Sequence, residues 1–363
     1  MVQRVLHIIG RMDRAGAETM LMNLYRETDR SCIQFDFACF SNDRCDYDDE
    51  IETLGGQIVR IQGSNPFIRF WNLWNVLRRG EWQIVHSHTL FSSGLHLSAA
   101  MLAGVPKRVA HAHSTSDANS SNYAGRAYQR GTRWLLSWIP THYVACGKAA
   151  AEYLFPGRQD VTIIPNAIDI ERFSTASATA CKRALGLADD SLTILQVGRL
   201  MPVKNHAWSV QIASVLRTAG VKFQMLFVGT GPEISAIEAL VLQHGLEEQV
   251  RLLGLRADIA ELMAVADVML MPSLHEGFPV VLVESQAAGL PAVISSAISP
   301  EVDLDLGLVH FVDLEQPAET WAKQIRSVAG ACSVPEEKRK RSLEGSGFSA
   351  RKSSERLLKI YGI

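Results

Sequence analysis

Residues 267–284 read DVMLMPSLHEGFPVVLVE, and their chemistry runs in the order strand, loop, helix start. Val268–Met271 is a short apolar run of the kind a strand covered on both faces requires. Pro272 and Gly277 then punctuate regular structure. Pro279 suits the first turn of a helix and sets Glu284 in the second, so Glu276 stands in the loop while Glu284 projects from the helix. A buried strand that releases its chain through a polar loop into a helix is half of a βα unit. Ligands of parallel sheets gather outside the carboxyl ends of such strands.

On either side of this stretch the same rhythm fills the chain. VLHII (5–9), FDFACF (35–40), QIVHSH (83–88), RVAHAH (108–113), THYVAC (141–146) and VTIIP (161–165) each alternate with helical patterns. It restarts with TILQVG (193–198), FQMLFVG (223–229), VRLLG (250–254), DVMLMPS (267–273) and AVISS (292–296). The expected fold class is therefore α/β, with two tandem Rossmann-like, doubly wound parallel-sheet domains facing across a cleft. Pro165–Asp169 and the small, polar stretch Ser174–Thr179 suggest a linker. The divisions expected are an N-terminal domain over 1–168, a second over 169–346, and a terminal helix in 347–363. Periodicity does not allot that helix, and the N-terminal domain is its candidate receiver.

Composition narrows the function classes. With 363 residues, 47% hydrophobic residues and a formal net charge of −2, the chain suits two folded domains rather than disorder or a globally basic nucleic-acid binder. No apolar run approaches the roughly 18 residues of a membrane span, and Val5–Ile9 is too short for a secretory signal core. A cytoplasmic location is expected. The six cysteines, Cys332 included, form no CxxC pair and read as reduced packing thiols.

Two loops carry chemistry. In Gly198–Asn205, Arg199 and Lys204 place two cations at the mouth of a sheet, which suits a diphosphate; two solvated surface charges are the plainer alternative. In the second loop, Glu284 could accept both hydroxyls of a ribose or sugar diol, and the free N–H groups at the helix start suit phosphate oxygens. A surface cap or ion pair is the alternative there, weakened by the apolar run Val280–Val283.

These residues resemble, in order and nearly end to end, the GT-B retaining glycosyltransferases of family 4, the group that contains many bacterial capsule and exopolysaccharide sugar transferases. The matching elements are Ala15-Gly16-Ala17-Glu18, His111-Ala112-His113, Pro165–Asp169, Arg199 with Lys204, Gly229-Thr230-Gly231-Pro232, and Glu276 with Glu284. The resemblance implies that Arg199 and Lys204 hold the donor diphosphate, Glu284 the ribose, and backbone at Gly254 and Leu255 the base. Glu276 and the backbone of Gly277, Phe278, Pro279 and Val280 would orient the donor sugar, which His113 also reaches. Gly16 would let the first loop approach the phosphate or acceptor. Two departures stand out: Ala15-Gly16 replaces the family's Gly-Gly, and Pro165-Asn166-Ala167 its Pro-Asn-Gly. The implied reaction moves a sugar, with retention, from a nucleotide sugar, UDP being the first choice, to a glycan acceptor of lipid-linked type. A nucleotide-sugar epimerase of the same architecture and a non-catalytic nucleotide-sugar sensor are the alternatives.

Other local signals read more plainly. Gly229-Thr230-Gly231 has Ser235 where a dinucleotide fingerprint needs a third glycine. His86/His88 and His111/His113 each share one side of a strand, but no cysteine or paired carboxylate stands beside them, so no metal is expected. Histidines bonded to backbone explain most of the four. Asp303-Leu304-Asp305 reads as a solvated loop, and the acidic run 43–52 as a surface loop or helix start. Residues 60–133 hold nine Lys/Arg against two acids, Glu81 and Asp117, and five of the seven tryptophans lie within 71–138. Residues 67–79 and 123–138 therefore suggest a surface for anionic lipid, and a peripheral place on the inner face of the cell membrane.

Overall fold

The computed structural model describes residues 2–114, 123–330 and 334–363, apart from the side chains of Ala124 and Ala180; Asp117 and Cys332 lie outside these. By contacts the chain divides into two compact units, Met1–Ile168 with Gly347–Ile363, and Asp169–Ser346.

The first unit is built on seven strands: β1 (Gln3–Ile9), β2 (Ile33–Cys39), β3 (Ile58–Arg60), β4 (Ile84–Ser87), β5 (Lys107–Ala112), β6 (His142–Ala145) and β7 (Val161–Ile163). All pair in parallel, in the order β3-β2-β1-β4-β5-β6-β7. Both faces of the sheet are covered. Val5 and Ile9 of β1 pack with Tyr25 and Leu357 on one side, while Leu6 and Ile8 pack with Leu73 and Leu97 on the other. Side chains alternate across a strand, and a mostly apolar run is what two covered faces favour, with His7 the polar exception inside β1.

The second unit holds β8 (Leu192–Val197), β9 (Phe223–Val228), β10 (Val250–Leu252), β11 (Val268–Met271), β12 (Ala292–Ser295) and β13 (Val309–Val312), again all parallel, in the order β10-β9-β8-β11-β12-β13. Each unit is thus a doubly wound, Rossmann-like sheet. In each, the connections reverse direction between two central strands, β1 and β4 in the first and β8 and β11 in the second, and that reversal opens a crevice at the strand ends.

The helix Ala350–Tyr361 belongs to the first unit. It starts where Ser349 caps the N–H of Lys352, and it buries Leu357 and Tyr361 against the cluster that includes Met20 and Leu24 of the helix Gly16–Glu27. The proposed linker is not loose chain. Ala167 and Ile168 are fully buried, Asn23 Nδ2 donates to Ala167 O at 3.0 Å, and Ile168 pairs in parallel with Ser349. The polar stretch after it is shaped by the helices Ile170–Ser174 and Ala178–Leu185. The acidic run includes a helix start, the second of its two expected forms, but a partly buried one: Asp48 begins the helix Asp48–Thr53 buried, paired with Arg60 and accepting the Cys45 N–H at 2.9 Å. The five described cysteines are unbridged thiols.

Candidate active site

In the second unit the loops after β8 and β11 leave the sheet side by side and are fastened to one another. The Leu274 N–H donates to Val203 O at 2.8 Å, and Asn205 Nδ2 donates to Pro272 O at 3.1 Å. Beneath them, Ser209 Oγ donates to Gln196 Oε1 at 2.6 Å, and Gln196 Nε2 donates to Lys204 O at 3.0 Å. A buried amide held at both ends fixes the backbone of Lys204, and such satisfied networks resist displacement.

This scaffold brings two of the expected residues into contact. Lys204 Nζ lies 2.7 Å from Glu276 Oε1, with the side chains 19% and 13% exposed. The approach is one of opposite charges, because the angle does not meet that of a hydrogen bond. Arg199 stands on the same loop as Lys204 with its side chain exposed, and it has no side-chain partner among the described residues. The pair and the free guanidinium sit where the sheet topology directs ligands.

Gly229 and Gly231 support this loop. A Cβ at Gly229 would lie 2.1 Å from Gly198 O, and one at Gly231 would lie 2.2 Å from Leu200 O. The Leu200 N–H donates to Thr230 O and the Gly229 N–H to Gly254 O, each at 2.9 Å. These glycines therefore allow two backbones to touch. The resemblance marked them in the sequence, but their packing partner was invisible there.

The helix Val280–Ala288 begins at Pro279, which is the capping residue itself, one position before the first turn that the sequence suggested. Glu284 is partly exposed, and burial pushes its pKa up to about 7 while Arg172 pulls it back. Arg172 is placed by a bond from Nη2 to Ala257 O at 2.6 Å. Leu255 is an exposed side chain beside the left-handed Gly254. Gly277 is exposed, Phe278 and Val280 are partly so, and Pro279 is buried.

Gly16 and His113 belong to the first unit. Gly16 opens its helix, and a Cβ placed there would meet no protein atom within 4 Å, so packing does not require glycine at this position. Glu18, two residues on, had no role in the sequence reading, yet burial raises its pKa to about 7. His113 Nε2 lies 2.8 Å from His88 Nδ1, and its Nδ1 is buried. His7 and His113 each bond to His88, and His86 bonds to Tyr361, while both ring nitrogens of His111 are buried without a partner, which corrects the expectation that these histidines bond to backbone.

Known proteins match this chain in sequence and in fold. Residues 14–172 match the family model described as Glycosyltransferase Family 4, and residues 178–306 match that described as Glycosyl transferases group 1. Over 371 aligned residues, 99% of this chain and 97% of the relative, the sequence is 42% identical to EpsF of Bacillus subtilis (strain 168), a provisionally named glycosyltransferase. The chain belongs to the family 4 glycosyltransferases. An Escherichia coli relative, UDP-Gal:alpha-D-GlcNAc-diphosphoundecaprenol alpha-1,3-galactosyltransferase, is 27% identical over 68% of this chain and 65% of its own. The crystal structure of Anabaena HepE in complex with UDP and glucose has the same fold, with a TM-score of 0.79 over 99% of each chain at 18% identity.

For a glycosyltransferase, the chemical capacity of the second unit is clear. An exposed guanidinium, an ammonium and the N-terminus of a nine-residue helix offer positive potential suited to an anionic group. No side chain of this set is arranged as an activated nucleophile.

Proposed function

We propose that this glycosyltransferase moves a sugar from a UDP-sugar to a lipid-linked glycan acceptor, with retention at the anomeric carbon, in the synthesis of a capsule, exopolysaccharide or related cell-surface polysaccharide. The observation that carries the reading is the Lys204–Glu276 contact at the β8/β11 reversal, with Arg199 free on the same loop. Arg199 and Lys204 hold the diphosphate. Glu276, with the backbone of Gly277, Phe278, Pro279 and Val280, orients the sugar hydroxyls. Glu284 accepts the ribose diol, and Gly254 with Leu255 borders the base. Gly16 and His113 serve from the first unit, Gly16 at the phosphate or acceptor and His113 at the sugar. UDP as donor is supported by the E. coli relative and by the ligands of HepE, and the acceptor class by the diphosphoundecaprenol in the former's name.

In the step itself the acceptor hydroxyl attacks the anomeric carbon on the face from which the diphosphate departs. The bond to the diphosphate oxygen breaks, the new glycosidic bond forms, and a leaving phosphate oxygen takes the hydroxyl proton. Catalysis is positioning and stabilisation of charge. Glu276, whose carboxylate faces the Lys204 ammonium at 2.7 Å, is given the orienting role and not that of a base. The cations take the part of a divalent metal, and turnover is expected to survive chelation by EDTA.

A membrane-facing surface of the first unit fits a lipid-linked acceptor. The helices Pro66–Arg79, Ser93–Leu102 and Tyr123–Leu136 pack in sequence beside one another. Phe67 is 88% exposed and Trp134 64%, with Trp71, Leu102 and Trp138 also exposed; Arg78, Arg79, Arg126 and Arg130 are exposed around them. Phe70 and Trp74, by contrast, turn toward the core. Among the described residues no helix is long and apolar enough to cross a membrane. Apolar rings ringed by arginine suit the interface of an anionic bilayer.

The test is product analysis. UDP-, GDP- and ADP-sugars are first screened by thermal shift, since a bound donor raises apparent stability by mass action. The donor that binds is then incubated with and without an undecaprenyl-diphosphate-linked saccharide. An acceptor-dependent product with the donor's anomeric configuration supports the proposal. Sugar conversion without acceptor indicates an epimerase, and binding without any product indicates a sensor; either overturns it.

A further inference from the structure

Five imidazoles on three neighbouring strands and their ends form a row in the first unit, four of them buried and His113 half-buried. His7 comes from β1, His86 from β4 with His88 just beyond it, and His111 from β5 with His113 just beyond it. The row lies across the β1/β4 reversal. Its rings pack face to tilted face, with centroids 3.9 Å apart for His111 and His113 and 4.2 Å for His86 and His88.

Two triads, His7/His86/His88 and His88/His111/His113, bring one ring nitrogen of each member within 4.8 Å of the others, a spacing that invites a metal. The shorter distances argue otherwise. His7 Nδ1 lies 3.0 Å from His88 Nε2, and His88 Nδ1 lies 2.8 Å from His113 Nε2. Two nitrogens held about 2.0–2.1 Å from a tetrahedral ion stand roughly 3.3 Å apart, whereas N–H···N hydrogen bonds take about 2.8–3.0 Å. The contacts are hydrogen bonds.

A neutral imidazole carries one N–H and one lone pair, so the two hydrogen bonds couple the three rings. His88 uses both nitrogens, so if its Nδ1 donates to His113, its Nε2 must accept from His7. All three rings then carry the proton on Nδ1. The reverse arrangement puts it on Nε2 in all three. No mixed arrangement keeps both bonds.

The two ends of the chain decide between them. His7 Nε2 is buried without a partner, and a buried unpaired N–H is rarer in proteins than a buried unpaired acceptor. At the other end Asn166, whose Oδ1 is buried and likewise unpartnered, lies close enough to His113 to favour its proton. Both ends prefer a lone pair on His7 Nε2 and a proton on His113 Nδ1. Burial holds His7 at a pKa of about 3 and His113 at about 4, so the rings remain neutral at physiological pH.

We propose that His7, His88 and His113 form one tautomerically locked relay, in which His7 and His88 are positioning residues that make His113 an obligate Nδ1–H donor. Asn166 Oδ1 is the acceptor beside that buried proton, and a substrate oxygen replaces it when donor binding uncovers Nδ1. The catalytic consequence rests on the donor-sugar role given to His113 above; the tautomeric lock does not.

The test uses the full chain labelled with 15N-histidine, read by long-range 1H–15N spectra and assigned with single substitutions. The expected result is a protonated Nδ1 and bare Nε2 in His7, His88 and His113, opposite to the Nε2–H form that an isolated imidazole favours. An Nε2–H form in any of the three overturns the lock. In a folded H88L variant, His113 should lose its fixed tautomer and kcat should fall about tenfold, the order expected for one directional hydrogen bond. H88N sets an amide at the Nδ1 position, able to donate to His113, and should restore both. Unchanged His113 spectra in H88L overturn the relay, and unchanged kcat overturns its positioning role. If no donor gives turnover, the functional reading fails while the spectra still judge the lock.

Discussion

Lys204 Nζ and Glu276 Oε1 meet at 2.7 Å across two loops that enter the crevice from β8 and β11, strands that are neighbours in space but separated by two whole βα units in sequence. On the function proposed above, the donor's diphosphate takes over the ammonium that Glu276 now faces, and the carboxylate turns to the sugar hydroxyls. Lys204→Ala should weaken UDP binding, while Glu276→Ala should leave UDP binding near its original strength and lower kcat by about 10²–10³, the loss typical of one charge-stabilising or orienting group. Titration calorimetry with UDP and steady-state kinetics separate the two effects. Equal loss of UDP affinity in both variants would count against the division of labour.

Glu284 makes donor affinity depend on pH. Its pKa, raised to about 7 by burial, means that it ionises across neutrality, and only the ionised form accepts both ribose hydroxyls. UDP-sugar affinity should therefore rise between pH 6 and 8, and E284Q should bind more weakly with the slope gone. The sign for stability is opposite. A carboxyl raised from 4.5 to about 7 contributes stability that is full below the lower value and is lost as pH rises toward the upper one. Chemical denaturation of wild type and E284Q across that window tests this, the variant serving as control because Glu18 adds a slope of the same sign.

Gly229→Ala should disturb the cation loop from behind. The residue has a φ of +138°, and its Cβ would stand 2.1 Å from Gly198 O, so backbone has to move. A loss of about 1–3 kcal/mol is expected from such strain. Denaturant melts measure it, and donor affinity should fall in parallel because Arg199 is carried on the displaced segment. An unchanged melt would show that the two backbones separate freely.

The exposed rings of the first unit should govern membrane attachment. Phe67→Ser with Trp71→Ser, at two exposed positions of one helix, should abolish flotation with anionic vesicles while leaving the melting temperature within about a degree, as for surface changes in general. Flotation equal to that of the wild type would remove this surface from the mechanism of acceptor access.

How much of this was legible beforehand follows from the range over which each signal acts. Strands such as β11 announced themselves because a sheet covered on both faces favours continuous apolar residues, and the strand-loop-helix order around Glu276 and Glu284 is likewise written locally. β3 and β13 were not among the strands read from the sequence. The aromatic stripe of 67–74 was visible, but which of its rings turn inward depends on the neighbouring helices: Phe70 and Trp74 pack on the core while Phe67 and Trp71 do not.

Local sequence was enough to establish the class of the fold, the alternation of its units and the reaction family, because these rest on periodicity and on ordered short motifs. It took the folded chain to bring Lys204 against Glu276, to lay the cation loop on Gly229 and Gly231, and to join His7 with His88 and His113 in one row. Parallel strands become neighbours only through crossover connections, so the contacts made at their ends join residues tens of positions apart that no local pattern relates.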